Sequence, residues 1–265
     1  MEITVLHQLG GCWAKINRGQ HHIKFLETDI ADFFQRNPHT VVGQFNRDCT
    51  EYLFTATGPV EIPVNFAVVA GEVVHHLRSS LDHLVWALVV QRGCAPKGHV
   101  QFPICSTPKK FESACKRGKI DGISNAAQAI IQDAQPFRTG QPTNHPLAIL
   151  QDLNNTDKHK LLLIVSCATG VGNTLEFSGA CIENHEIDII PSNWSKQAVR
   201  TVDGGTEVLR IRFKRPIPEM KVDAQFLPHI AFDQFGGANL EPIIPSLVHL
   251  HDYVANTINL FNGEF

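Results

Sequence analysis

The hydrophobic pattern of the chain changes near residue 165, and this change constrains the fold more than any other feature. Before it, apolar residues recur at helical spacing, which predicts helices over about 19–36, 64–92, 108–116, 123–134 and 145–163. After it, apolar and polar residues alternate, which predicts strands over about 161–169, 173–182, 187–190, 198–202, 207–214 and 222–232. Helices followed by strands predict an α+β fold rather than alternating βα units.

Two short segments complete this outline. Val41 to Phe45 and Tyr52 to Thr57 alternate like the strands of a small β-hairpin within the helical part. Pro245 can open a terminal helix. We therefore expect a helical, bundle-like part over 1–165 and an antiparallel β-rich part over 166–265 that is closed by the terminal helix. Because no linker composition separates the two parts, we expect them to fold as one unit.

Net charge, targeting signals and cysteine pattern limit which binding partners and which cellular compartment we expect. The net charge is −3, from 23 Lys and Arg against 26 Asp and Glu, so nucleic-acid binding would depend on a local basic patch. The first residues lack the basic and apolar segments of a signal peptide, and no apolar run approaches the roughly 20 residues of a membrane helix. The seven cysteines form no Cys-x-x-Cys pair, which favours reduced thiols. We expect a cytoplasmic protein without a membrane partner; a homo-oligomer is left open.

One predicted strand carries a row of basic residues. Arg210, Arg212 and Lys214 alternate with apolar residues, so they lie on one side of the strand. Such a row is typical of a solvated strand face, and it is also a surface that can meet phosphates.

The helix predicted over 64–92 carries an unusual polar stripe. At about 100° per residue, one side of this helix is uniformly apolar. The members of that face are Val73, Leu77, Leu81, Leu84 and Leu88. The polar residues form two adjacent rows, which are Glu72, His76, Ser79 and His83, and His75, Arg78 and Asp82. A solvated helix face is usually rich in Lys and Glu, whereas the ionisable groups here include three His and no Lys. They are groups that bind metals, move protons or hold anions.

A second polar cluster lies at the end of the helix predicted over 145–163. Asp152 and His159 are seven positions apart and share a face with Asn155 or Thr156, whereas Asp157 points elsewhere. If this helix and the helix at 64–92 are neighbours and turn their polar rows inward, the space between them holds several His and carboxylate groups. The same residues on an outer face would be an ordinary polar helix surface.

These two segments, with a third between them, resemble a widespread group of uncharacterised bacterial proteins. That group has the pattern His-Asn-Leu-Arg-Ser-Ala-Leu-Asp-His-Leu, then Phe-Pro-Ile, then Asn-x-Asp-Lys-His-Arg. The corresponding segments here are His75 to Leu84, Phe102 to Ile104, and Asn155 to Lys160. The resemblance covers about residues 65–165. It differs at three positions and matches at six ionisable ones; the matching residues are His75, Arg78, Asp82, His83, Asp157 and His159. The resemblance implies a site and no particular activity.

A first interpretation of the site is a metal-independent ribonuclease. Arg78 and His83 form an Arg-x4-His pattern on a helix, which is similar to the motif of the HEPN helical domains, many of which cleave RNA without metal. His83 would exchange a proton with the ribose hydroxyl or the leaving oxygen. Arg78 would hold the phosphate with two hydrogen bonds, next to Asp82.

A second interpretation is a metal site that supports hydrolysis. Glu72 and His75 have the Glu-x-x-His spacing of helical di-metal carboxylate proteins, but a di-metal centre needs a second such motif and two more Glu. A mononuclear site is easier to build from the remaining ligands, whose types suit Zn or Fe. The candidate ligands are His75, His83, Asp82, His159, Asp157 and Glu72.

A third interpretation is not enzymatic. Arg78, Asp82, Asp157 and His159 would form a buried network of ion pairs and hydrogen bonds that holds two helices together. The strand-rich part would then supply a binding surface. The sequence does not decide between an enzyme and a binding or structural protein.

Overall fold

A computed structural model gives the fold of the chain. It describes residues 9–38, 40–57, 62–162, 164–167, 174–178, 187–191, 201–202, 205–217, 221–225, 229–232 and 241–265. Parts of the predicted strands lie outside the described residues; these are 163, 168–169, 173, 179–182, 198–200 and 226–228.

Six α-helices occur within the described ranges. They are α1 (Gly10–Arg36), α2 (Val64–Gln91), α3 (Pro108–Lys116), α4 (Asn125–Asp133), α5 (Pro146–Asp157) and α6 (Ile243–Asn259). Three short 3-10 turns accompany them at Pro136–Arg138, Pro142–Asn144 and Asn262–Glu264. None of these helices combines the length and the apolar character that crossing a lipid bilayer would require.

Most of the described strands form antiparallel pairs. The described strands are β1 (Thr40–Phe45), β2 (Glu51–Thr57), β3 (Ile164–Cys167), β4 (Thr174–Ser178), β5 (Ile187–Pro191), β6 (Thr201–Val202), β7 (Gly205–Phe213), β8 (Lys221–Gln225), β9 (His229–Phe232) and β10 (Glu241–Pro242). The largest sheet has the order β1-β2-β7-β5, and β6 also pairs with β7. The other antiparallel pairs include β3 with β9 and β4 with β8. The predicted α+β class is confirmed. Along the chain, a mainly helical part with a small hairpin is followed by antiparallel strands and a terminal helix.

Two helix boundaries differ from the prediction. α1 begins at Gly10 rather than near residue 19, because Cys12 and Ile16 are buried and continue its apolar face toward the N-terminus. α5 ends at Asp157 rather than near residue 163, and the backbone N–H groups of the next residues turn back toward Thr156. Past Asp157 the chain has three successive polar residues, so no apolar face remains to bury.

Contacts divide the chain into two units. The first takes in the described residues of Met1–Thr28, Pro63–Leu163 and Gln234–Phe265, and the second takes in those of Asp29–Ile62 and Ile164–Asp233. The β1–β2 hairpin therefore groups with strands β3 to β9, whereas β10 and α6 group with the helices. That the chain folds as one cooperative unit stays a prediction.

The core of the first unit is built around α2. The predicted apolar face of this helix is buried throughout; its members Val73, Leu77, Leu81, Leu84 and Leu88 are 0–2% exposed. α5 and α6 both pack against α2 and against each other. Because α2 is covered on more than one side, some of its polar residues become buried as well.

Candidate functional site

Arg78 is the buried charged residue of α2, with only 6% of its surface exposed. Its guanidinium donates three hydrogen bonds, each from a different nitrogen. Nε donates to Oε1 of Gln151 at 3.0 Å, Nη1 to Oδ1 of Asp82 at 2.9 Å, and Nη2 to the backbone oxygen of Phe102 at 2.8 Å. These partners come from α5, from α2 itself and from the segment before α3, so one side chain joins three parts of the first unit.

Asp82 completes the hold on Phe102. Its Oδ1 accepts the bond from Arg78 and also a bond of 2.9 Å from the backbone N–H of Phe102. The Arg78–Asp82 pair therefore satisfies both the N–H and the C=O of one residue whose side chain is fully buried. We call Arg78, Asp82, Gln151 and the backbone of Phe102 the Arg78 network.

Gln135 forms hydrogen bonds with the backbone of the residues that follow Phe102. It is fully buried, its Nε2 donates to the oxygen of Pro103 at 2.8 Å, and its Oε1 accepts from the N–H of Cys105 at 2.9 Å. The segment 102–105 lies outside helices and strands, so side chains take the place of a neighbouring strand. Sequence reasoning missed Gln135, because a single Gln at the end of a helix carries no pattern that shows it to be buried.

A second polar group, the histidine cluster, lies where α1 meets α2. It consists of His22, Glu72, His75 and His76. Nδ1 of His22 is 3.4 Å from Oε2 of Glu72, and the rings of His22 and His76 stack with centroids 5.5 Å apart and planes 11° apart. His75 meets the ring of His76 edge-on at 6.1 Å.

Small residues let α1 approach α2 closely. A Cβ atom added to Gly19 would lie 3.5 Å from a methyl of Leu77, and one added to Gly11 would lie 2.9 Å from the ring of His83. Together with the His22–Glu72 contact, these pairs run in opposite directions along the two helices, so α1 and α2 are antiparallel. His22 was missed by sequence reasoning; its place on the helical pattern of α1 was the one available signal.

Burial shapes the charge state of this cluster. It lowers the pKa of His76 below its usual value, and the positive charge of Lys15 adds to the effect. Burial also lowers the pKa of His22, although Glu72 acts in the opposite direction. Burial therefore favours the uncharged form of both rings. Nδ1 of His76 is buried without a hydrogen-bond partner among the described residues.

Asp157 contacts α2 at Gly71, about two helical turns from Arg78. A Cβ atom added to Gly71 would be 2.1 Å from its Oδ1, so the carboxylate occupies the space that a side chain at position 71 would fill. Burial raises the pKa of Asp157, while the charge of His75 lowers it. The helices predicted over 64–92 and 145–163 are thus neighbours, through the Asp157–Gly71 and Gln151–Arg78 contacts.

The remaining predicted residues lie apart. The ring of His83 is exposed and rests against Gly11 of α1. His159 is exposed in the turn after α5, so it does not share a helical face with Asp152 as predicted. The structure brings Arg78 together with Asp82, and it brings Glu72 and His75 together with Asp157, but it does not gather all six predicted ligands around one point.

The predicted metal site has no formed ligand set. In the part of the chain that the structure describes, no group of three or more His, Cys, Asp or Glu is arranged to hold a metal ion. A Zn or Fe site built from these residues stays a prediction.

Burial keeps three thiols in the protonated form. It raises the pKa of Cys12 to about 12, and it also raises the pKa of Cys105 and of Cys115. The cysteines whose side chains are described are all free; they are Cys12, Cys49, Cys94, Cys105 and Cys115. Because the thiolate is the reactive form, none of the three thiols with a raised pKa is suited to act as a nucleophile.

The basic row of the second unit is engaged by carboxylates. Arg210 bonds Glu51 on β2 at 2.7 Å and Glu207 on its own strand at 2.8 Å, and Nε of Arg212 donates to Glu51 at 2.8 Å. The guanidinium of Arg212 lowers the pKa of Glu51, with a smaller effect from Arg210. Of the three predicted basic residues, Arg212 and Lys214 are exposed and Arg210 is half-buried. This face is therefore an ion-pair ladder across two strands.

Comparison with known proteins identifies no relative that has this site. Neither a protein-family model, nor a curated protein, nor a solved structure matches the chain.

Proposed function

We propose that the Arg78 network is architectural and that the chain is a binding or structural protein, in which Arg78 and His83 do not cleave RNA. The observation that carries this proposal is the burial of the Arg78 guanidinium, whose three bonds all go to groups of the protein. In this interpretation the motif residues hold the segment 102–105 on α2. Recognition of a partner falls to surfaces outside the network, and the strand-rich part is the candidate.

The placement of Arg78 and His83 opposes the ribonuclease interpretation. Five residues on an α-helix correspond to a rotation of about 140°, so the two side chains leave α2 in different directions. One of them is buried against α5, and the other is exposed against α1. Arg78 is 6% exposed and donates three of its five N–H groups to the protein, so little of the guanidinium is left on which a phosphate could bind.

Ribonuclease assays on three proteins test the proposal: wild type, His83→Ala and Arg78→Lys. Each is incubated with single-stranded RNA in the presence of a chelator, and its thermal unfolding is measured in parallel. We expect no cleavage by any of them, a lower melting temperature for Arg78→Lys, and a melting temperature of His83→Ala close to that of the wild type. Cleavage that is lost in His83→Ala, with unchanged melting, would establish the ribonuclease instead.

Elemental analysis of the purified protein tests the metal alternative. The observation in its favour is the histidine cluster, where burial lowers the pKa of His22 and His76 close to Glu72, since neutral imidazole and carboxylate are the ligand forms that Zn and Fe require. About one Zn or Fe per chain, lost in Glu72→Gln, would replace the architectural proposal by a metal-dependent one. Metal-free protein is the result expected here.

A further inference from the structure

His145 caps the N-terminus of α5 with its imidazole ring. Its backbone is extended, with φ −71° and ψ 136°, and its Nδ1 accepts a hydrogen bond of 3.2 Å from the backbone N–H of Leu147. The ring is buried, since only 8% of the residue is exposed. Side-chain oxygens of Ser, Thr, Asp or Asn usually accept this bond, so a buried His in their place is unusual.

The other ring nitrogen of His145 bonds α6. Nε2 is 2.9 Å from Oη of Tyr253, and the two rings meet edge-on with centroids 5.2 Å apart. Because Nδ1 accepts from Leu147, the proton of the neutral ring is on Nε2, which therefore donates to Tyr253. The geometry thus requires one tautomer of the uncharged imidazole.

We propose that His145 is a pH-sensitive cap, which couples its protonation to the attachment of α5. A proton on Nδ1 turns the acceptor into a donor that faces the N–H of Leu147, so the cap is lost. The new positive charge also lies at the positive end of the helix dipole, which adds to the destabilisation. α5 carries Gln151, so loosening its first turns weakens the link to Arg78 on α2.

The surroundings of His145 do not offset the new charge. Tyr253 is the titratable group of α6 that bonds the ring, while His251 pairs with Asp252 at 2.9 Å and His249 is exposed. Burial raises the pKa of Tyr253, so its hydroxyl stays protonated at neutral and acid pH. Elsewhere around α5, Arg138 of the preceding turn pairs with Asp133, and on α2 Asp82 pairs with Arg78.

The sign of the pH dependence follows from the folded pKa of His145, which burial lowers below 6.5. The unfolded chain then binds the proton more tightly than the folded chain does. Stability is greatest above the unfolded pKa and falls as the pH drops through 6.5 toward the folded pKa. Since His22 and His76 act in the same direction, the pH dependence of the wild type alone identifies no single residue.

Urea unfolding of wild type and His145→Asn at about pH 8 and about pH 5.5 isolates this residue, because Asn is a good cap that does not titrate. We expect acidification to raise the unfolding equilibrium constant of the wild type about fivefold more than that of the variant. Tyr253→Phe keeps the cap and should keep the wild-type pH dependence. So should His249→Asn, the matched control on an exposed His of α6.

Equal pH dependence in wild type and His145→Asn would overturn the proposal. Should His145→Asn fail to fold, two measurements on the wild type decide the matter. NMR titration should place the imidazole of His145 below pH 6.5, and amide exchange at Leu147 should accelerate below that titration beyond the intrinsic rate. A folded pKa of His145 at or above 6.5 would refute the proposal.

Discussion

Replacement of Arg78 by Lys is the sharpest test of the Arg78 network. Lys keeps the positive charge and much of the aliphatic stem, but it has one nitrogen in place of a planar fork. The three acceptors are arranged around the three guanidinium nitrogens, so a single ammonium reaches one of them. We expect it to keep the Asp82 contact and to leave the Phe102 oxygen and Gln151 unpaired.

The expected cost follows from the two lost bonds. A hydrogen bond to a charged group contributes about 1.5–3 kcal/mol. The Phe102 oxygen is fully buried, whereas Asp82, with its side chain 37% exposed, keeps its contact and gains solvation from water. Two lost bonds at the lower end of that range lower the free energy of unfolding by about 3 kcal/mol.

Arg138→Lys is the matched control. Its pair with Asp133 has the same length, 2.9 Å, but the two side chains are 48% and 74% exposed. An exposed pair of this kind contributes less than about 1 kcal/mol and is screened by salt. Urea unfolding, followed by the fluorescence of Trp13 and Trp86, should give the large loss for Arg78→Lys at both low and high salt. Equal, small losses in the two variants would refute the network as a stabilising element.

Two further substitutions test individual contacts. Gly71→Ala forces the carboxylate of Asp157 aside, since the new Cβ would be 2.1 Å from its Oδ1; a net loss of about 1–3 kcal/mol in urea unfolding is expected. Gly10→Ala, which meets no atom within 4 Å, should be neutral or slightly stabilising, and similar values for both variants would contradict the close approach. Glu51→Gln should lower the free energy of unfolding by about 1 kcal/mol at neutral pH, because it weakens the pairs with Arg210 and Arg212. Because the folded pKa of Glu51 is lowered from 4.5, its contribution is present above that value and is lost on acidification, so the variant should lose less stability between pH 6 and pH 3.

The periodic spacing of apolar residues correctly predicted the apolar face of α2 and the two strands of the hairpin. The predicted apolar face of α2, from Val73 to Leu88, recurs over about four turns and is buried along its whole length. The hairpin strands β1 and β2 were likewise predicted within a residue at each end. In both cases the pattern extends over enough residues that one packing solution satisfies it.

The partners of polar residues were not predictable in this way. A helical wheel places Arg78 in a polar row, yet the residue is buried, because α5 and the segment 102–105 cover that side of α2. Its partner at Phe102 is a backbone N–H and C=O, which every residue possesses, so no pattern of side chains marks it. The same applies to Asp157, whose neighbour is a glycine with no side chain of its own.

The charged pair Arg78–Asp82 is suited to its position because it bonds both backbone groups of Phe102. Replacing a buried ion pair by apolar side chains of similar volume is often neutral or stabilising elsewhere, because it removes the cost of burying charge. Here that exchange would leave the N–H and C=O of Phe102 buried without partners, and substitution cannot remove a backbone group. Arg78 and Asp82 together offer one donor and one acceptor at the spacing of a single peptide residue, which a neighbouring strand would otherwise supply. If the Arg78 network is architectural, as proposed, the polar motif on α2 and the Phe-Pro-Ile segment are two halves of one structural requirement.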